Sequence, residues 1–278
     1  MHNNLGYNKP LFILPFDHRS SFLKLLDAVG RLPTDQEIQK IKEFKEIIYE
    51  AFKKALSDGI KKDEAAILVD EEYGDKILQD AKSNGFNIIL ATEKTGQKEF
   101  QFEYEDSFKE HIEKYRPNFV KGLIRYNNQG VNNNLKILLD YCRGNGYKLL
   151  LEIITENKNA IETTKAISEF QNAKIEPDVW KIEGMEEVQD YEMIVNQAHI
   201  NGRNNVGIVV LGRGEEKEKV EKWISESSKV KGITGFAVGR TIFWEPLIEY
   251  KNTNIEKEQT IEKISNNFLH FYHVFKNN

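Results

Sequence analysis

The stretch "PDVWKIEGM", residues 177–185, is a short apolar run with a lysine at its centre. It is too short and too rich in strand-forming residues to be a surface helix. Runs of the same kind recur along the chain, and there are seven others: "LFILPFD" (11–17), "AAILVD" (65–70), "FNIILAT" (86–92), "FVKGLIRY" (119–126), "KLLLEII" (148–154), "VGIVVLG" (206–212) and "ITGFAVG" (233–239). Strands that are apolar almost throughout are typical of parallel sheets, which helices cover on both faces.

Polar segments with helix-period apolar residues separate these runs. The segment 35–56 carries apolar residues on helical spacing, and we expect one long helix to fill the insertion between the first two strands. Further helices are predicted over "EKVEKWISESSKV" and over residues 256–275. Eight strands alternating with helices predict an α/β fold, a (β/α)8 TIM barrel, with a doubly wound open sheet as the alternative. No linker or low-complexity tract divides the chain, so we predict a single domain over residues 1–278.

Composition narrows the functional classes. The chain has 278 residues, 40% hydrophobic and 30% charged, which is enough for a substantial core. The net charge of -5 and the absence of a basic stripe argue against nucleic acid as a partner. Cys142 is the single cysteine, so no intrachain disulfide can form. The sequence shows neither a signal-peptide pattern nor 18 consecutive apolar residues, which predicts a cytoplasmic protein that does not bind membranes.

Charged residues occur near the ends of several predicted strands, where active-site groups of (β/α)8 barrels lie. Side chains alternate between the two faces of a strand, so residues two apart point to the same side. One consistent register places five charged residues in the barrel interior: Asp17, Lys121, Arg125, Glu152 and Lys181. Each of them taken alone is more often outward-facing or paired for structural reasons. Together they form a mixed-sign cluster, which relieves the cost of burying each charge and is chemically reactive.

The two lysines on strands four and six are the most informative members of this cluster. A neighbouring cation and partial desolvation both lower the pKa of a lysine, which leaves a neutral amine near pH 7. A neutral amine can attack a ketone and form a Schiff base. We therefore expect Lys181 to have a chemical role, with Lys121 as the neighbouring cation.

Glycines and arginines follow strands seven and eight, in "LGRG" (211–214) and "GFAVGRT" (235–241). Phosphate sites in such barrels form there, from backbone N–H groups and a helix N-terminus. The alternative is that these are turn glycines and surface arginines. We predict a phosphate-binding site, and the candidates are Gly212, Arg213, Gly239 and Arg240.

Three other features lead to weaker expectations. His18 is a candidate substrate-binding residue, and the six histidines lack HxH or HExxH spacing, so no metal is expected. Glu71, Glu72 and Glu93 are interpreted as carboxylates at helix N-termini, where the helix dipole favours them. The segment "QKEFQFEYEDSF" (97–108) is expected to cover the barrel mouth or to form an interface.

These motifs together resemble a known bacterial family. The stretches that carry the resemblance lie between about residues 11 and 275: "FDHR", "VDEEYG", "EKTGQKEFQFEY", "FVKGLIRYN", "EPDVWKIEG", "VVLGRG" and "GFAVGRTIFW". They look like a domain, once labelled as of unknown function, that occurs alone and as the C-terminal half of the fused 5-dehydro-2-deoxygluconokinase of myo-inositol catabolism. That domain is in turn similar to class I tagatose 1,6-bisphosphate aldolases.

The resemblance implies a role for each matching residue. Lys181 matches the Schiff-base lysine and Glu152 an acid/base carboxylate, while Lys121 and Asp17 match a second lysine and the first-strand aspartate. The Gly-Arg pair at 239–240 matches a phosphate-binding pair. Two stretches depart from the family pattern, "EIITENK" where "ELLVP" is usual and "ATEKTG" where "PxEKSG" is usual.

The expected function is that of a class I aldolase acting on a phosphorylated keto sugar or keto acid, without a cofactor. The inositol context suggests 6-phospho-5-dehydro-2-deoxygluconate, which would give dihydroxyacetone phosphate and malonate semialdehyde. One alternative is a metal-dependent lyase or isomerase that uses Asp17, His18, Asp70 and Glu183. Another is a sugar-phosphate binding module without catalysis. The expected partner is a phosphorylated small molecule, and a homo-oligomer is left open.

Overall fold

Eight parallel strands close into a barrel in the order in which they follow one another along the chain. A computed structural model describes residues 5–127 and 132–277. The predicted (β/α)8 TIM barrel is confirmed, and each predicted run contains a strand whose ends differ by at most two residues. The strands β1 to β8 are Leu11–Pro15, Ala65–Val69, Asn87–Ala91, Phe119–Arg125, Lys148–Ile154, Val179–Glu183, Gly207–Leu211 and Ile233–Ala237.

Helices surround the barrel and cover its outer surface. The helices α1 to α10 are Arg19–Leu25, Asp35–Ser57, Glu71–Ser83, Phe108–Tyr115, Asn133–Asn145, Ala160–Asn172, Val188–His199, Lys217–Ser228, Arg240–Lys251 and Lys257–Lys276. Short 3-10 turns lie at Glu105–Ser107 and Ile200–Gly202. None of the helices in the described part of the chain has the length and apolar character needed to cross a membrane.

The insertion between β1 and β2 contains two helices, so the expectation of a single long helix is wrong. The seven-residue α1 comes first, and the chain then turns through Asp27 and Gly30, both with positive φ, which no helix can accommodate. The helix α2 starts afresh at a capping box formed by Thr34 and Glu37, as its sequence predicts from residue 35 onward.

Apolar side chains fill the lower part of the barrel interior. They come from all eight strands and are Leu11, Ile13, Ala66, Leu68, Ile89, Ala91, Phe119, Leu150, Val179, Val209 and Ala237. The strand register places charged residues directly above this layer. Lys121 pairs in register with Leu150, and Glu152 pairs with Lys181, so the charges lie toward the carboxyl ends of the strands.

A hairpin follows β3 and lies at the barrel mouth. Glu93 and Phe102 form an antiparallel bridge, and the backbone N–H of Glu103 donates to the carbonyl of Thr92 at 2.9 Å. Phe100, in the returning arm, lines the cavity at the mouth. The segment 97–108 therefore covers part of the mouth, one of the two roles expected for it.

Candidate active site

A cavity of about 150 Å³ opens at the carboxyl ends of the strands. Its walls come from β4, β5 and β6, from the residues that follow β1, from the start of α1 and from the hairpin after β3. Six residues predicted from the sequence line it: Asp17, His18, Lys121, Arg125, Glu152 and Lys181. Five of the six, all except His18, belong to the predicted interior register, and the structure brings them together. Arg125 is exposed at the rim, so its predicted interior position is wrong. The four glycine and arginine candidates after β7 and β8 lie outside the lining of this cavity.

Lys121 is 2% exposed and is surrounded by carboxylates. Its Nζ donates to Asp17 Oδ2 at 3.0 Å and to Glu93 Oε1, and it lies 3.2 Å from Glu152 Oε2. Burial alone would lower the pKa of Lys121, but the attraction of the three carboxylates outweighs it and raises the pKa well above its usual value. Lys121 is therefore a fixed positive charge in the cavity wall.

Lys181 and Glu152 form the second close pair. Lys181 is 4% exposed, and its Nζ donates to Glu152 Oε2 at 2.9 Å. Burial alone would raise the pKa of Glu152, but Lys181 and Lys121 lower it to about 2. One carboxylate oxygen thus joins the two lysines, and Glu152 is ionised at neutral pH.

Asp17 and His18 follow β1 and occupy another side of the cavity. Burial opposes ionisation of Asp17, yet Lys121, His18 and Lys181 lower its pKa overall. The Nδ1 atom of His18 lies 3.8 Å from Asp17 Oδ1 and has no hydrogen-bond partner among the described residues. Burial lowers the pKa of His18, Asp17 opposes this shift, and Arg240 adds to it. The resulting pKa is about 4, so the ring is neutral at physiological pH.

Glu93 belongs to this cluster, and its interpretation as a helix N-terminal carboxylate is wrong. It follows β3 on the same side as Ala91, which is an interior residue, so strand parity points it toward Lys121. That parity is the signal that would have identified it. Glu71 and Glu72, in contrast, lie in the first turn of α3 as interpreted.

Arg19 is a second residue that sequence reasoning missed. Its side chain is buried in the first turn of α1, Nη2 donates to the backbone oxygen of Glu93 at 2.6 Å, and Nη1 pairs with Glu103. Arg19 therefore ties the hairpin to α1 and fixes the backbone that carries Glu93. The sequence gives no periodicity signal for this contact, because it joins two connecting segments.

Glu183 holds the loops after β5 and β7. Its Oε2 accepts from the N–H and the hydroxyl of Thr155 at 2.9 and 2.8 Å, and its Oε1 accepts from Arg213 Nη1. Arg213, a predicted phosphate ligand, thus has part of its guanidinium bound to Glu183. Its backbone has a φ of 52°, in a loop that continues into Gly214.

Gly239 and Arg240 lie where β8 meets α9. A Cβ atom on Gly239 would be 2.3 Å from the backbone oxygen of Pro15, so only glycine lets the end of β8 approach the end of β1. Arg240 Nη2 donates to the backbone oxygen of Arg213, while its buried Nε has no partner among the described residues. Gly212 packs against Val220, and Arg240 lines a depression beside the main cavity.

Two of the four residues of the metal alternative, Asp70 and Glu183, lie outside the cavity lining and are bound to other residues. Asp70 pairs with the buried ammonium of Lys45 and accepts from the N–H of Tyr73 at 3.0 Å as the N-cap of α3. Within residues 5–127 and 132–277, no group of three or more histidine, cysteine, aspartate or glutamate side chains is arranged to hold a metal ion.

Comparison with known proteins places the chain in a family. The model of a family described as an uncharacterized protein conserved in bacteria, DUF2090, matches residues 3–278. The chain belongs to this family. The match covers every strand of the barrel and every residue of the cavity. No curated protein matches this DUF2090 chain.

Two solved structures are similar to this DUF2090 protein in fold. One is the crystal structure of Cgl0159 from Corynebacterium glutamicum, with a TM-score of 0.60 and 14% identity over 95% of this chain and 86% of that chain. The other is a fructose-bisphosphate aldolase from Slackia heliotrinireducens, with a TM-score of 0.59 and 11% identity over 92% of this chain and 86% of that chain. At these identities the likeness establishes the shared barrel fold.

Proposed function

We propose that this protein is a class I aldolase in which Lys181 forms an imine with a ketone. The observation that carries the proposal is the contact of 2.9 Å between Lys181 Nζ and Glu152 Oε2 inside a cavity. An amine that is buried, reachable from a cavity and hydrogen-bonded to a carboxylate meets the geometric requirement for a nucleophile with its base. The barrel shared with a fructose-bisphosphate aldolase is consistent with this reaction.

The neighbouring charges have complementary roles in imine formation. Glu152 takes the proton that Lys181 loses as it attacks the carbonyl carbon, and it returns a proton when water leaves the carbinolamine. Lys121, held as an ammonium by its carboxylates, donates a hydrogen bond to a substrate oxygen. Asp17 keeps Lys121 in place through the contact of 3.0 Å.

The substrate is proposed to carry a phosphate, bound near the start of α9. Arg240 supplies a charged donor there, and its buried Nε has no partner among the residues that the structure describes. Arg240 is also the first residue of α9, and the first backbone N–H groups of a helix together with the positive end of its dipole favour an anion. The resemblance to the kinase-linked domain of inositol catabolism supports 6-phospho-5-dehydro-2-deoxygluconate as the substrate, with dihydroxyacetone phosphate and malonate semialdehyde as products.

Borohydride trapping tests this proposal. Incubation with dihydroxyacetone phosphate and borohydride should add one reduced adduct, and peptide mapping should place it on Lys181. Lys181→Met keeps an apolar stem of similar length, so it should fold and lose both adduct and turnover. Lys98→Met, which removes an exposed lysine from the mouth hairpin, is the matched control and should behave as wild type.

Three results would change this proposal. An adduct on Lys121 would exchange the roles of the two lysines. Turnover of a panel of phosphorylated ketoses that EDTA abolishes and a divalent ion restores would favour the metal-dependent lyase or isomerase. Tight binding of these ketoses with neither adduct nor turnover would identify a binding module.

A further inference from the structure

Three carboxylates surround Lys121, yet their environments differ. Glu152 Oε2 contacts both lysines, at 2.9 and 3.2 Å. Asp17 places Oδ2 on Lys121 and Oδ1 toward His18. Glu93 contacts Lys121 through Oε1 alone, and its Oε2 is buried without a hydrogen-bond partner among the described residues. Because almost every buried polar atom in a folded protein has a partner, an unpartnered carboxylate oxygen in a cavity wall indicates a place for a ligand group.

The backbone of Glu93 is held firmly. It forms the antiparallel bridge to Phe102, and its carbonyl accepts from Arg19 Nη2 at 2.6 Å. Glu93 is thus fixed at both its backbone and its Oε1, which leaves Oε2 oriented by the protein rather than by solvent. This is the kind of support that a proton-transferring group requires.

The electrostatic environments separate the carboxylates into two kinds. Burial and the negative charge of Asp17 raise the pKa of Glu93 despite the attraction of Lys121. The pKa values of Glu152 and Asp17 are lowered by the two lysines instead. Neighbouring titratable groups whose environments push their pKa values apart commonly divide the acid and base roles of an active site.

We propose that Glu93 transfers the proton when the carbon–carbon bond is cleaved, while Glu152 transfers the protons of imine formation. This proposal rests on the aldolase function proposed above. The imine nitrogen is on Lys181, which contacts Glu152. Glu152 contacts Lys121, and Lys121 contacts Glu93. Glu93 is therefore not in the first contact of the imine nitrogen and faces the part of the substrate beyond the imine carbon.

The step is balanced as follows. Glu93 Oε2 takes the proton of the hydroxyl on the second carbon beyond the imine carbon, and that carbon becomes an aldehyde. The electron pair of the broken carbon–carbon bond passes into the iminium and forms a neutral enamine on Lys181. Glu93 then returns the proton to the enamine carbon, which restores the iminium for hydrolysis by water. No oxidant, reductant or further reactant is required.

Deuterium exchange with dihydroxyacetone phosphate isolates this step from the rest of the reaction. The imine on Lys181 exchanges the hydrogen on the adjacent carbon with solvent only when a base removes it. Glu93→Gln should keep the borohydride adduct within about twofold of wild type and slow the exchange, measured by NMR, by about 10²- to 10⁴-fold. Retention of the adduct shows that the variant is folded. Formate added to Glu93→Ala should restore part of the exchange, which a purely structural residue would not allow.

The outcomes are distinct. Exchange at the wild-type rate in Glu93→Gln overturns the proposal, and loss of exchange in Asp17→Asn but not in Glu93→Gln transfers the role to Asp17. Loss of the adduct itself in a folded Glu93→Gln assigns Glu93 to imine formation and overturns the proposal as well. Failure of the wild-type protein to form any adduct with dihydroxyacetone phosphate rejects the Schiff-base function, and with it the role of Glu93.

Discussion

Lys121 shows how one residue can make a buried charge cluster tolerable. An unpaired buried ammonium costs several kcal/mol, and each unpaired carboxylate costs a similar amount. Here the contacts with Asp17, Glu93 and Glu152 neutralise the charge of Lys121 more than fully. Burial and the negative charge of Asp17 raise the pKa of Glu93, whereas Lys181 adds a second positive charge that lowers the pKa values of Glu152 and Asp17.

His18 gives a pH-dependent prediction at the same scale. Its pKa of about 4 in the folded protein lies below the ordinary value of 6.5, so folding favours the neutral ring. The unfolded chain binds a proton as pH falls through 6.5, whereas the folded protein binds it only near pH 4. The stabilising contribution is therefore complete above pH 6.5 and lost between 6.5 and 4.

Urea unfolding at pH 7, 5.5 and 4 checks this prediction, with wild type compared with His18→Asn. The ring is 27% exposed, which moderates the effect. We expect the free energy of unfolding of the wild type to fall by about 1–3 kcal/mol more than that of the variant across this range. The other groups titrate in both proteins, so the difference isolates His18. Equal losses in the two proteins would show that the ring is not desolvated.

At the scale of whole elements, the ends of β7 and β8 determine where Arg240 lies. Arg240 Nη2 holds the backbone oxygen of Arg213, whose guanidinium is held by Glu183 at the end of β6. Because Gly239 has no side chain, the end of β8 can lie close to the end of β1. Three successive strand ends thereby position one arginine beside the cavity.

Arg240→Ala should raise KM for a phosphorylated substrate about ten- to a hundredfold, because a charge-assisted hydrogen bond is worth roughly 1.5–3 kcal/mol. Since we propose that Arg240 binds the phosphate and does not contact the reacting carbons, kcat should change much less. Arg116→Ala, at an exposed helix end, is the matched control and should leave KM unchanged. An unchanged KM in a folded Arg240→Ala would show that the phosphate is not bound at this position.

The same elements separate what sequence predicts from what it cannot. The apolar runs and strand parity identified all eight strands and brought Asp17, Glu152 and both lysines to one interior. Parity extends to Asp17 and Glu93, two residues beyond the ends of β1 and β3, but not into the connections that follow. Arg19 meets Glu93 through two connections whose paths depend on tertiary packing, so no local pattern encodes that contact.

At the scale of the whole molecule, the two ends of the barrel have separate tasks. The carboxyl end holds the charged cavity, while the amino end is closed by Tyr7. The ring of Tyr7 packs edge-on against the ring of Phe119, with ring centroids 5.0 Å apart. The backbone N–H of Tyr7 donates to the backbone oxygen of Asp178 at 3.2 Å. The carboxylate of Asp178 in turn accepts from the N–H of Gly6 at 2.8 Å. Apolar layers of the barrel interior lie between this closure and Lys181.

This arrangement predicts that stability and catalysis can be changed independently. Tyr7→Ala exposes the lower apolar layer beside Phe119 and should reduce the free energy of unfolding by about 2 kcal/mol, less than for a fully buried aromatic ring because Tyr7 is half-buried. Urea unfolding measures the loss, and the rate of borohydride-trapped adduct formation at Lys181 measures the catalytic end. That rate should stay at the wild-type value under conditions where both proteins are folded, because the packed layers between the two ends transmit no change in charge. Lys181→Met should lose the adduct and still fold, because Glu152 keeps its contact with Lys121. A slower adduct rate in folded Tyr7→Ala would mean that the closure at the amino end also sets the geometry of the reactive lysine.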